Sequence, residues 1–156
     1  MEAFVAFKYL HIAAMFFAVA LAVSGEVVMR RIATSGDVRA IRTALDRSKP
    51  LGNIATGLFL AGAAFGIVAA LTGQINLLQP WLIAAYVTFV AAMAIGITIT
   101  DPWLSRLGAA AYASPEGAAS PELLVVINDE RARMATWALM FIVAFFVFLM
   151  VVQPGG

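Results

Sequence analysis

An all-α fold is what this 156-residue sequence predicts: a transmembrane up-down-up-down four-helix bundle with both termini outside. Three observations lead there. Apolar runs at 9–25, 51–72, 81–99 and 134–152 each approach the roughly 20 helical residues that cross a bilayer core. The chain is 63% hydrophobic and only 12% charged, which excludes an ordinary water-soluble domain. Of its ten Lys and Arg residues, all but Lys8 lie in two segments, 30–49 and 106–133, whereas the 73–80 connection is uncharged. Basic residues are retained on the cytoplasmic side, so both long loops are expected inside. The expectation is a single integral membrane domain, 1–156, in the inner (plasma) membrane, with spans at about 3–29, 51–72, 81–100 and 131–152.

The elements follow in order. Ala22-Val23-Ser24 before Gly25 resembles a signal-peptidase site, but only Glu2 and Lys8 are charged upstream, so a retained first helix is expected. In the first loop Val38, Ile41, Ala44 and Leu45 fall on one arc, with Arg39, Arg42 and Arg47 off it. That pattern suits a short helix resting on anionic headgroups. Ser48 reads as the cap of the second span, with Pro50 in its first turn. Within that span Gly62-x-x-x-Gly66 lets another helix approach closely. Trp81 after Pro80 opens the third span at the outer interface. Asp101-Pro102 reads as the cap and first residue of a short amphipathic helix reaching about Ala111, not as a buried acid. Ser114-Pro115-Glu116 and Ser120-Pro121-Glu122 repeat that start signal, and the second begins a long fourth helix.

Several chemistries are excluded. Without cysteine there is no disulfide, thiolate metal site or thiol nucleophile. A net charge of +1 and the lack of a basic, aromatic-interleaved stripe argue against nucleic acid. No phosphate-binding glycine loop, H-E-x-x-H or nucleophile elbow occurs.

Ionisable residues inside a membrane helix mark candidate sites. His11, the only histidine, sits about three turns into the first span. An axial haem ligand, a metal ligand, a proton carrier and a hydrogen-bonded structural residue are all open to it. Lys8 at i−3 and Met15 at i+4 share its face. A two-ligand haem would draw on Met93, Met140 or a second chain. By depth, Tyr86 or Thr88 is the expected polar neighbour of His11. Glu26 pairs with Arg30 at i+4, or serves as a carboxylate for protons or a cation, with Asn53, Thr56, Thr98 and Thr100 at comparable depth.

Lys8-Tyr9-Leu10-His11-Ile12, the arginine-rich first loop, the run Asp101-Pro102-Trp103-Leu104-Ser105-Arg106-Leu107 and the closing Met150-Val151-Val152-Gln153-Pro154 resemble a group of small four-helix membrane proteins. The group includes the haem-dependent membrane type of protoporphyrinogen oxidase, the copper-resistance D-type proteins and uncharacterised predicted integral membrane proteins, the last being the nearest likeness. The resemblance implies haem b at a first-helix histidine, the position His11 matches. The oxidases also carry a basic residue early in the third helix and a histidine near its end. Leu82-Ile83-Ala84-Ala85 and Thr98-Ile99-Thr100-Asp101 stand there instead, which counts against that oxidase activity. The leading expectation is therefore a haem- or porphyrin-associated membrane protein, as a homodimer or part of a larger membrane complex. The alternatives are a non-catalytic subunit or scaffold, and a small-solute or metal permease built on Glu26 and His11.

Overall fold

A computed structural model describes residues 1–154, so the last two positions of the predicted domain lie outside the described residues. Four helices long and apolar enough to cross a membrane make this a multi-pass membrane protein. The helices are α1 (Glu2–Thr34), α2 (Val38–Thr72), α3 (Pro80–Ile95), α4 (Asp101–Ala113), α5 (Pro121–Ile127) and α6 (Glu130–Val152), with a π-helical turn, Gly96–Thr100, joining α3 to α4.

Helices α1 and α2, at 33 and 35 residues, are about 50 Å long at 1.5 Å per residue, well beyond a hydrocarbon core of about 30 Å. Their turn needs Gly36, whose φ of +71° is the left-handed conformation a side chain disfavours. Asp37 then caps α2 by accepting from the Ala40 N–H at 3.0 Å. This corrects the expected start at Ser48: helix runs through Pro50 unbroken, and the Ser48 hydroxyl donates instead to the Leu45 carbonyl at 2.9 Å. The short first-loop helix is thus the beginning of α2. Val38, Ile41 and Leu45 of its apolar arc are buried against protein, and Ala44 is partly covered.

A second correction concerns Asp101-Pro102. The expected short helix is present as α4 and ends at Ala113, but it continues α3 through the π turn without a break, and Asp101 has helical backbone with no capping hydrogen bond from its side chain. The proline lacks an N–H and its ring crowds the carbonyl four residues earlier. Widening the preceding turn, so that the Asp101 N–H reaches the Gly96 carbonyl, lets the helix pass the proline without a break. In place of one long fourth helix from Ser120, α5 ends at Ile127 and α6 restarts under an Asp129 cap.

Packing divides the chain into two helical pairs, α1 with α2 and α3 with α6, tied together at the arginine-rich end through α4 and α5. There Met29, Ala33, Val38, Ile41, Leu45, Trp103, Leu107, Ala111, Leu123 and Ala132 form one buried cluster.

Candidate functional sites at His11 and Glu26

Helix α1 meets α2 through side chains that enter spaces where α2 has none. A Cβ at Gly62 would stand 2.7 Å from the Met15 sulfur, one at Gly66 2.8 Å from His11 Nδ1, and one at Gly73 2.6 Å from the Phe4 ring. These glycines let the backbones close on each other, as small residues do between membrane helices. In that notch His11 Nδ1 lies 2.7 Å from the Gly62 carbonyl oxygen. A carbonyl can only accept, so Nδ1 carries the proton. In the neutral ring Nε2 therefore holds the lone pair.

The partner of His11 is thus a backbone carbonyl on α2. Thr88 donates to Ala84 within α3, and Tyr86 is exposed. Lys8 turns its ammonium over the Phe4 ring at 5.6 Å. Met15 packs at Gly62, while Met93 lies on the exposed side of α3. Asn53 and Asp101 are exposed as well. Among the described residues no three His, Cys, Asp or Glu side chains converge on a metal position.

Nearer the arginine-rich end, Glu26 and Arg30 pair at 3.0 Å on α1, with side chains only 13% and 18% exposed. Thr136 on α6 joins them: its hydroxyl donates to Glu26 Oε1 at 2.6 Å, and Arg30 Nε donates to the same hydroxyl. The Arg30 guanidinium lies 4.5 Å over the Trp103 ring, whose indole N–H donates to the Val126 carbonyl at 2.9 Å. One ion pair therefore links α1, α4 and α6, and the tryptophan extends the link to α5. Charged and polar groups near a membrane boundary need this kind of mutual satisfaction. Thr56 and Thr98 instead donate to carbonyls of their own helices. Sequence reasoning placed the cluster with those residues and missed Thr136 and Trp103. The available signal was depth: Thr136 is the one hydroxyl in the fourth apolar run, one turn beyond Arg133.

Two more polar sets fix the loops. Arg42 donates from Nε to the Ala111 carbonyl at 3.0 Å and from Nη2 to that of Ser114 at 2.6 Å, placing a cation on the last carbonyls of α4. Arg106 holds the Asp129 carboxylate at 2.7 Å, and that hydrogen bond keeps the Asp129 carboxyl below the usual carboxylate range.

Comparison of the chain with protein-family models, with curated proteins and with solved structures finds no match.

Proposed function

We propose that this protein resides in the inner (plasma) membrane, with both termini outside and its arginine-rich end in the cytoplasm, and that His11 would hold haem or another porphyrin. The observation that supports the ligand role is the 2.7 Å approach of Nδ1 to the Gly62 carbonyl. Ligating histidines commonly give one ring N–H to such an acceptor, which fixes the tautomer and leaves the other nitrogen for the metal. The donor chemistry of this residue therefore fits the group. A second protein ligand on the same chain has less support, because α1 and α3 do not pack closely and Met93 faces outward. That favours a group held by His11 as its one protein ligand from this chain, or shared between two copies. A bound haem would supply one-electron chemistry, while His11 would hold it and the surrounding alanine and phenylalanine side chains would exclude water.

One observation favours the scaffold reading. The His11 ring fills the space above Gly66, as a purely structural histidine would. Glu26, engaged by Arg30 and Thr136, suits helix joining better than a permeation path. Reconstitution of the detergent-purified protein with excess haemin separates the two. The ligand role requires a stoichiometric Soret band that His11→Ala abolishes. A colourless protein under those conditions makes the scaffold the better account.

A further inference from the structure

At the arginine-rich end the seam between α1 and α2 has two sides, and they are treated differently. On one side α4 and α5 cover Met29, Ala33, Val38, Ile41 and Leu45. The other side is an open groove of about 540 Å³, floored by Val28, Ile32, Ala40 and Ala44 and ending at Gly25 and Leu51. Arg39 and Arg47 stand on its rim. Among the described residues neither forms an ion pair, whereas Arg30 and Arg42 both do. The one acid on the lining, Asp37, already accepts from the Ala40 N–H.

We propose that this groove docks an amphipathic helix of a partner protein, about four turns long, apolar on one stripe and carrying two carboxylates for Arg39 and Arg47. Its dimensions argue for a helix. From Asp37 to Leu51 the lining spans 14 residues of α2, about 21 Å, and Arg39 and Arg47 are separated by about 12 Å along the axis. A seam between two helices is also the surface into which a third helix fits its ridge.

Lipid is the less suitable occupant. Leu51 begins the apolar run of α2, and Arg39 lies about 18 Å beyond it, outside a headgroup layer only about 5–8 Å deep. Acyl chains therefore do not reach most of the floor. A second copy of the chain docked through the same groove would set arginines against arginines. The inference rests on the membrane placement proposed above and is independent of haem.

The test uses the full-length protein in nanodiscs of phosphatidylcholine and a fluorescein-labelled 14-residue helical peptide. The peptide has a Leu/Ala stripe and two Glu eight positions apart, and a control carries Lys at both. The Glu peptide should bind, and the Lys peptide should not. Arg39→Glu with Arg47→Glu should weaken Glu-peptide binding at least tenfold and admit the Lys peptide. Ala40→Trp fills the groove and keeps both arginines, so it should also weaken binding at least tenfold; Thr43→Trp on the exposed rim serves if the first variant does not fold. No binding, or binding that the tryptophan leaves unchanged, overturns the proposal. Phosphatidylglycerol retained through Arg39 and Arg47 and excluding the peptide would identify a lipid site and overturn it too. Labelling of Ser35→Cys and Gln74→Cys reports the membrane placement separately, since labelling of both from one side would remove that placement itself.

Discussion

The arginine-rich end and the membrane-crossing stretch of the α1–α2 pair bury different kinds of side chain. At the first, Ile41, Trp103, Leu107 and Leu123 are completely covered. Along the crossing segments the buried residues of α1 and α2 are Ala14, Ala18, Ala55, Gly62, Ala69 and Ala70, while Phe16, Phe17, Leu60, Ile67, Val87 and Phe141 stand outward. Water drives large apolar groups inward because burial removes about 25 cal/mol per Å² of exposed apolar surface. Lipid gives no such drive, so helices there associate through close contact and small residues. The two patterns in one chain mark where the solvent changes. They also locate the forces: the pairs α1–α2 and α3–α6 are brought together chiefly in the loop-rich layer, with Glu26, Arg30 and Thr136 at its edge.

The largest test of that contrast compares two tryptophans. Trp103 is 0% exposed and Trp137 68%. Replacing Trp103 with Ala removes a fully packed ring, the surface beneath Arg30 and the bond to Val126, an expected loss of about 3–5 kcal/mol. Trp137→Ala, with few protein contacts to lose, should stay within about 0.5 kcal/mol. Denaturant unfolding in mixed micelles measures both. Equal losses would break the distinction between the two regions.

How much of this was legible in the sequence follows the same divide. The four crossing segments could be read because lipid imposes long apolar runs, a rule that acts on each helix alone. The arc Val38, Ile41, Ala44 and Leu45 was also visible, but the sequence did not say that α4 and α5, rather than headgroups, would cover Val38, Ile41 and Leu45. That outcome depends on pairing across about 60 residues. Pro50 and Asp101-Pro102 read as boundaries because proline usually interrupts helices. Here helix persists on both sides of each, with a π turn taking up the second. His11 was legible as a candidate from its type and depth. Its bond to Gly62 was not, because the acceptor is a backbone carbonyl that no residue type announces.

A middle-sized effect sharpens the account of the membrane half. Gly66→Ala places a methyl group 2.8 Å from His11 Nδ1, so α1 and α2 must part or the ring must turn. Overpacking of this kind costs about 1–3 kcal/mol. Combining it with His11→Ala should restore much of that loss, giving a coupling of about 0.5–3 kcal/mol. Strict additivity of the two changes would mean that the ring does not occupy this notch.

The smallest expected effect lies at the edge of the loop-rich layer, in the pair Arg106–Asp129. Asp129 does two things: it accepts from the Ala132 N–H at 3.2 Å as the cap of α6, and it binds Arg106 at 2.7 Å. Asn keeps the cap and loses the charge; Ala loses both. Arg106 is 55% exposed, so solvent screening holds the pair to about 1 kcal/mol or less, and Asp129→Asn should cost no more than that. Asp129→Ala should cost about 1 kcal/mol further for the cap. Because Arg106 lowers the Asp129 pKa, the folded state favours the carboxylate. Its contribution is present above the unfolded carboxyl pKa and disappears as pH falls through the lower, folded value. Unfolding of the wild type and Asp129→Asn should therefore differ near neutral pH and converge under acid. A difference that persisted or grew on acidification would assign the stabilisation to something other than this ion pair.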